Sequence, residues 1–158
     1  MTFRQALEVL AAVYRRGVDC VVVGGIAMAL HGIVRATEDL DLFVRATPEN
    51  LDRIRQALGD LYDDPEIELI TVGDLAGEFS VVRYGPPGVD YVIDLIARLG
   101  EAFDFDDIES QAIDVDGVTV TVATPAMLYR MKRDTVRPQD RADAAELQRR
   151  FGLTDGGG

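Results

Sequence analysis

The sequence predicts an α/β (α+β) fold in which a mixed β-sheet is flanked by helices. Three observations predict it. Short apolar runs rich in β-branched residues, such as residues 18–23, are typical of buried strands. Other stretches, such as residues 3–16, carry apolar residues at helical spacing. Threonine followed by proline, at Thr47 and again at Thr124, is typical of a helix start, with threonine as the N-cap and proline in the first turn.

In the first half of the chain we expect, in order, a helix, a strand, a short helix, a second strand and a third helix. Their predicted bounds are residues 3–16, 18–23, 26–30, 40–45 and 48–59. Gly17 follows the first helix as a stop signal. The pair Gly24-Gly25 interrupts the apolar run and separates the first strand from the short helix.

In the second half the pattern favours strands and hairpins, followed by two helices. The strands are expected at residues 67–72, 79–84, 89–96, 112–115 and 118–122. The Gly-Pro-Pro-Gly turn over residues 85–88 and the Asp-Gly pair over residues 116–117 each predict a hairpin. The helices are expected to begin at Pro125 and Pro138, the second ending near Phe151. No repeat or linker divides the sequence, so we expect one domain over residues 1–153 and a flexible tail over residues 154–158.

Composition excludes several classes of protein. The 158 residues are 47% hydrophobic and 28% charged, as in an ordinary globular protein. No apolar run approaches the roughly 18 to 20 residues of a membrane helix, and the N-terminus has no signal-peptide pattern, so we expect no membrane partner and a cytoplasmic location. Cys20 is the only cysteine, which excludes an internal disulfide and a cysteine-based zinc site. The net charge of −12 argues against a broad nucleic-acid surface, though not against a local basic pocket.

Asp39 and Asp41 form the first part of a candidate metal site. Residues i and i+2 of a strand point to the same face, so the two carboxylates project together while Leu40 and Leu42 point into the core. Adjacent carboxylates repel each other unless a cation lies between them, and Mg²⁺ prefers such oxygen ligands. Taken alone, the pair is more typical of a solvated strand edge.

Gly24 and Gly25 are candidates for phosphate binding. A glycine pair between a strand and a helix lets backbone N–H groups approach a phosphate closely, and the helix dipole adds to the attraction. A tight turn that needs positive φ angles would explain the same pair.

Asp94 is the third candidate acid, in the apolar run of residues 92–96. Ionised carboxylates are rarely buried without a partner. A strand adjacent to residues 40–45 would place Asp94 roughly 5 Å from the first pair. Three such acids could hold two metal ions roughly 3.5 to 4 Å apart, the arrangement used for in-line phosphoryl transfer. Asp90 lies on the same strand face and is the alternative, but it is next to the turn.

These residues occur in a combination that resembles a known pattern. The matching residues are Gly24, Gly25, Arg35, Thr37, Asp39, Asp41 and Asp94. Together they resemble the nucleotidyltransferase superfamily with the DNA polymerase β-like fold. Residues 20–45 look most like the AbiEii-type and minimal nucleotidyltransferases of bacteria and archaea, a group that includes toxins of toxin–antitoxin pairs. A second stretch is also similar to AbiEii-like proteins, through Lys132, Arg137, Asp140 and Asp143.

The resemblance implies an activity. Asp39, Asp41 and Asp94 would be the catalytic and metal-binding residues, with Mg²⁺ (or Mn²⁺) as the cofactor. Gly24 and Gly25 would hold the phosphates of a nucleoside triphosphate such as ATP. The nucleoside monophosphate would pass to an acceptor hydroxyl or phosphate on a small molecule, a protein or a transfer RNA, and a cognate antitoxin would be a partner.

The resemblance also assigns supporting residues. Arg35, Thr37 and Lys132 would contact nucleotide or phosphate, with His31, Arg137 and Asp140 as weaker candidates. Roles that need no ligand are open to most of them as well. His31 could be a packing residue, the basic residues could be solvated charges, and Asp140 could be an acid favoured by a helix dipole.

The sequence also leaves open a catalytically silent member that binds nucleotide or a partner without turnover. Ile26 favours that alternative, since many members have serine directly after the glycine pair.

Overall fold

The computed structural model describes residues 1–76, 79–99 and 103–154. Of the predicted tail, only Thr154 is among them; residues 155–158 lie outside the described residues. The helices are α1 Phe3–Arg15, α2 Gly24–Leu30, α3 Pro48–Leu61, α4 Pro125–Lys132 and α5 Pro138–Phe151. The strands are β1 Cys20–Val23, β2 Asp39–Val44, β3 Phe79–Tyr84, β4 Val92–Leu99, β5 Phe103–Asp104, β6 Ser110–Val115 and β7 Val118–Ala123.

The seven strands of the described residues join one mixed sheet. The order across it is β3-β4-β2-β1-β7-β6, and β5 pairs with β4. The pairs β2–β4 and β1–β7 are parallel, whereas the other neighbours are antiparallel. The predicted mixed sheet and both predicted hairpins, β3–β4 and β6–β7, are therefore confirmed.

Helices cover the sheet through their apolar faces. α1 begins at a capping box between Thr2 and Gln5 and packs against α3 and β7. α2 packs against β1, β2 and β7, and α4 packs against α5. Thr47 and Thr124 cap α3 and α4 as the sequence predicts. Among the described residues no helix combines the length and apolar character needed to cross a membrane.

The alternation of residues along β2 decides what faces the core. Leu40 and Leu42 are 0% and 1% exposed, whereas Asp39 and Asp41 on the other face are only partly buried. This confirms the prediction that the two leucines face the core and the two aspartates share the opposite face. Burial of the leucines fixes the register of the strand, because a shift of one residue would bury the carboxylates instead.

The strand predicted at residues 67–72 is wrong. This stretch forms parts of two 3-10 helices, Pro65–Leu69 and Val72–Leu75. Asp64 caps the first by accepting a hydrogen bond from the Glu66 N–H, and Thr71 starts a capping box for the second. Leu69 is 72% exposed, so the run has no continuous buried side to place in a sheet. The local caps override the β-propensity of the apolar residues.

The strand predicted at residues 89–96 is shifted along the chain. β4 begins at Val92 and continues to Leu99, where it pairs with both β3 and β5. The connection after Tyr84 is therefore longer than the Gly-Pro-Pro-Gly turn alone, and Asp90 lies exposed within it. This excludes Asp90 from the strand face that carries Asp94.

Asn50 on α3 binds the residue that precedes β1 and the residue that follows β2. Its side chain is 1% exposed, accepts a hydrogen bond from the Asp19 N–H at 2.7 Å, and donates to the carbonyls of Asp19 at 3.0 Å and Arg45 at 2.8 Å. We expect Asn50→Ala to lower the free energy of unfolding by about 2 to 4 kcal/mol, because three hydrogen bonds to backbone groups are lost. Urea denaturation measures this change.

Gln56→Ala on the exposed face of the same helix is the control, and its effect should stay within about 0.5 kcal/mol. Equal stability of the Asn50 and Gln56 variants would contradict the role given to the Asn50 side chain.

Candidate active site

The sheet brings three carboxylates to one point. β2 and β4 are parallel neighbours, and their register places Asp41 directly beside Asp94. Asp39 lies two residues before Asp41 on the same face. One carboxylate oxygen from each of the three residues lies within 4.8 Å of the others. Within the described part of the chain, no other group of three or more metal-ligating side chains is this close.

Gly24 is required by the position of Asp41. The antiparallel register of β1 and β2 pairs Val23 with Asp41, so the residue that follows β1 lies against that carboxylate. A Cβ on Gly24 would stand 2.0 Å from Asp41 Oδ2, a distance that no side chain can accept. The backbone φ of Gly24 is +70°, which also favours glycine.

Gly25 lies equally close to the segment before β2. A Cβ on Gly25 would stand 3.0 Å from Thr37 Oγ1 and 3.5 Å from an Arg35 guanidinium nitrogen. Thr37 Oγ1 in turn donates to the Asp39 carbonyl at 3.1 Å. The glycine pair, Arg35 and Thr37 therefore form one contiguous group beside the acids.

The acid cluster is electrostatically strained. The pKa of Asp41 is raised from 3.8 to about 7. Burial is the largest cause, and the negative charges of Asp94 and Asp39 add to it. The positive charge of Lys132 acts in the opposite direction and favours the ionised form. A second positive charge at this point would therefore stabilise three ionised carboxylates together.

Arg83 supplies part of that charge. It lies on β3 directly across from Asp94, and its Nε donates to Asp94 Oδ1 at 3.1 Å. A terminal guanidinium nitrogen donates to Asp39 Oδ2 at 3.0 Å. The two carboxylates raise the pKa of the Arg83 guanidinium further, so it stays charged. Arg83 thus bridges the two outer members of the cluster.

A cluster of buried charged residues lies next to the acids. Asp143 on α5 is 3% exposed, and one of its oxygens accepts from both Arg35 and Lys132 at 2.9 Å. Gln139 donates to the other oxygen at 2.9 Å. Lys132, 8% exposed, is also 3.4 Å from Asp140. Arg35 Nε is buried without a hydrogen-bond partner among the described residues. Asp143 therefore holds the two cations together.

The three weaker candidates differ in how they contact the site. Asp140 belongs to the cluster of buried charged residues through Lys132, and it accepts from Thr135 at 3.0 Å. Arg137 is largely exposed and lies 3.8 Å from Asp140. The His31 ring contacts the Ala123 carbonyl at 2.8 Å and packs edge-on against Phe151. A functional role for His31 stays a prediction, and these contacts match its alternative as a packing residue.

Sequence reasoning missed Arg83 and the role of Asp143. Arg83 was detectable in principle, since a hairpin places each β3 residue opposite one β4 residue, but the length of the connection hid the register. Asp143 was expected near the first turn of the last helix, where an acid favours the helix dipole, so its charge did not stand out in the sequence. Its burial, visible only in the fold, identifies it as a partner of Arg35 and Lys132.

A cavity of about 750 Å³ opens beside the acids. Its lining includes Arg35, Thr37, Asp39 and Arg83. Ligand pockets of small molecules typically span about 300 to 1,000 Å³, so the volume of this cavity is in the range of a small-molecule site. Both signs of charge line it, through Arg35, Arg83 and Asp39.

Comparison with known proteins gives the family of this chain. A family model described as nucleotidyl transferase AbiEii toxin, type IV toxin–antitoxin system, matches residues 8–147. The chain therefore belongs to the AbiEii nucleotidyltransferase family. Among proteins with curated descriptions, none matches it in sequence.

Two solved structures show the same fold. A protein from Thermotoga maritima, provisionally assigned as a nucleotidyltransferase, superposes with a TM-score of 0.59 at 16% identity, over 96% of this chain and 94% of that one. An antigenic nucleotidyltransferase-like protein from Paracoccidioides brasiliensis gives a TM-score of 0.50 at 18% identity, over 90% and 75% of the two chains. The nucleotidyltransferase fold predicted from the sequence is confirmed.

The contact between Gly24 and Asp41 predicts a strong effect of a single methyl group. Gly24→Ala should destabilise the protein by about 2 kcal/mol or more, because the new Cβ both overlaps Asp41 and occupies a left-handed backbone position. Gly59→Ala, where no heavy atom lies within 4 Å of the added Cβ, is the control and should be neutral or slightly stabilising. Thermal denaturation compares the two variants, and equal melting temperatures would contradict the close contact.

The raised pKa of Asp41 predicts a pH dependence of stability. Because the folded-state pKa of about 7 exceeds the usual value of 3.8, the wild-type protein should lose stability relative to Asp41→Asn as pH rises from about 4 to about 7. The difference should reach at least about 2 kcal/mol, since one pKa unit corresponds to roughly 1.4 kcal/mol. Urea denaturation in a chelator at several pH values measures it. Parallel pH profiles of the two proteins would show that Asp41 is not strained.

Proposed function

We propose that this protein transfers a nucleoside monophosphate from a nucleoside triphosphate to an acceptor hydroxyl or phosphate, with Mg²⁺ (or Mn²⁺) as its cofactor. The observation that carries the proposal is the meeting of Asp39, Asp41 and Asp94 within 4.8 Å across two parallel strands. Membership of the AbiEii family supports the same reaction class.

The residues fit a hard divalent cation. All three donors of the cluster are carboxylates, the ligands that Mg²⁺ and Mn²⁺ prefer over softer nitrogen or sulfur ligands. Burial and then the neighbouring carboxylates raise the pKa of Asp41, and Arg83 donates only to Asp39 and Asp94. When bound, divalent ions supply charge neutralisation and alignment of the attacking and leaving oxygens.

The three acids have different roles in this proposal, and each role follows from the position of the residue. Asp39 and Asp41, on one strand face, would hold the divalent ion. Asp94, 9% exposed and flanked by the apolar residues Ile93 and Leu95, completes the set from the neighbouring strand. We assign to Asp94 the further role of accepting the proton of the acceptor hydroxyl, the task of a carboxylate general base.

The basic side of the site receives the phosphates. Gly24 and Gly25 permit close approach because they carry no Cβ, and Thr37 lies beside them. Arg35 and Lys132 bring two positive charges, held in place by Asp143. The buried Arg35 Nε donor lacks a partner among the described residues, which is typical of a site that awaits a ligand or water.

The reaction itself needs little covalent chemistry from the protein. The acceptor oxygen forms a bond to the α-phosphorus, the bond from that phosphorus to the bridging oxygen breaks, and pyrophosphate leaves. Positioning and electrostatic stabilisation supply most of the rate enhancement in such transfers. A small domain with a rigid sheet can provide both.

The biological setting follows from the family. We propose that the protein is the toxin of a toxin–antitoxin pair, located in the cytoplasm and neutralised by a cognate antitoxin. The acceptor is a small molecule, a protein or a transfer RNA. The net charge of −12 argues against a broad RNA-binding face, so a transfer RNA is the least favoured of these acceptors.

Removal of one acid should abolish transfer. Incubation with each labelled nucleoside triphosphate, Mg²⁺ and a cell extract as acceptor source should release pyrophosphate and label a product. We expect Asp39→Ala and Asp94→Asn to lower this rate by at least about 100-fold, the scale of a lost electrostatic group in a transition state.

Asp90→Asn is the matched control, because it removes the same charge from the exposed connection before β4. It should retain most of the activity. Metal-dependent nucleotide binding without any product would contradict the transfer reaction and would favour a catalytically silent binding protein.

A further inference from the structure

We propose that Arg83 is an internal cation that holds the acid cluster in the metal-free protein, and that it turns to the phosphates of the triphosphate when metal ions bind. The inference rests on the proposed function and adds a positioning and nucleotide-contacting residue to it. Arg83 lies on β3, outside the strands that carry the three acids.

The guanidinium of Arg83 binds two of the three acids that could hold a metal ion. Its guanidinium spans Asp94 Oδ1 at 3.1 Å and Asp39 Oδ2 at 3.0 Å. These two residues, with Asp41, are the ones that could share a metal ion. The guanidinium therefore compensates the same negative charge that a divalent cation would compensate. Without it, carboxylates this close would repel each other strongly.

A divalent ion bound to the acids would compete with this bridge. A divalent ion bound to the acids would lie within a few ångströms of the guanidinium, and like charges at that separation repel. The Arg83 side chain is 64% exposed, so it has room to leave the cluster. Asp94 and Asp39 have shorter side chains on paired strands, so their carboxylates stay near the cluster.

The cavity shows where the side chain can go. Arg83 and Arg35 both line the space of about 750 Å³ beside Asp39. A triphosphate held by metal ions at the acids would extend into this space. The planar fork of an arginine can donate two parallel hydrogen bonds to phosphate oxygens, which suits Arg83 to that second position. One residue would thus couple metal binding to nucleotide binding.

Mn²⁺ binding without nucleotide tests the first half of the inference. Isothermal titration of the metal-free protein should show that Arg83→Gln binds Mn²⁺ about two- to fivefold more tightly than wild type, the factor expected when a competing exposed ion pair is lost. Arg83→Lys should lie between the two proteins, because an ammonium keeps the charge but cannot span both carboxylates.

Arg45→Gln is the matched control. Arg45 also bridges two aspartates, Asp19 and Asp106, but it follows the opposite end of β2. This variant loses the same charge and a comparable pair of contacts, so its Mn²⁺ affinity should equal that of wild type. Thermal denaturation in a chelator establishes that each variant is folded.

Nucleotide binding tests the second half. In saturating Mn²⁺, Arg83→Gln should bind a nonhydrolysable nucleoside triphosphate about tenfold more weakly than wild type, the scale of lost hydrogen bonds to a charged group. Arg83→Lys should recover part of the affinity. A residue that only stabilised the fold would change neither constant in this pattern.

The outcomes separate the inference from the proposed function. Equal or weaker Mn²⁺ binding by Arg83→Gln would overturn the internal-cation role, and unchanged triphosphate affinity would overturn the phosphate contact, while wild type still bound metal. If wild-type protein bound no Mn²⁺ at all, the proposed function would fail and this inference with it. Tighter metal binding together with weaker nucleotide binding supports the inference.

Discussion

The repulsion among three carboxylates is the constraint on which the site depends. The sheet register forces Asp41 beside Asp94, and Asp39 lies one pleat away on the same face. Burial of the alternate leucines on β2 prevents the strand from shifting to relieve this crowding. The strain therefore cannot relax by movement of the backbone. It can be relieved by protonation or by positive charge, and both appear in the raised pKa of Asp41 and in the Arg83 bridge.

The rest of the structure is arranged around that charge. Gly24 follows β1 with no side chain, which leaves the space that Asp41 occupies. On the other side, Asp143 keeps Arg35 and Lys132 together, so that positive charge stands near the acids without entering their cluster. Negative charge and positive charge thus lie next to each other at this site. The proposed metal–triphosphate substrate would require such an arrangement.

Local signals in the sequence were reliable where a single element contained the whole pattern. Thr47 and Thr124 were identified as helix caps from the following proline, and the Asp-x-Asp spacing placed Asp39 and Asp41 on one strand face. The apolar flanks of Asp94 correctly favoured it over Asp90 as the third acid of the cluster. The strand predicted at residues 67–72 failed because capping by Asp64 and Thr71 outweighed the apolar composition.

The sequence by itself determined the strand face shared by Asp39 and Asp41 and the helix starts at Thr47 and Thr124, because each depends on residues close together in the chain and on periodicity. The tertiary structure decided that β4 pairs with β2 and so brings Asp94 to the other two acids. Only the tertiary structure decided that Arg83 bridges Asp39 and Asp94 and that Asp143 pairs with Arg35 and Lys132. Those contacts join residues 11 to 108 positions apart. Their formation depends on strand register and helix packing, which are set by the burial of the whole core rather than by any local pattern.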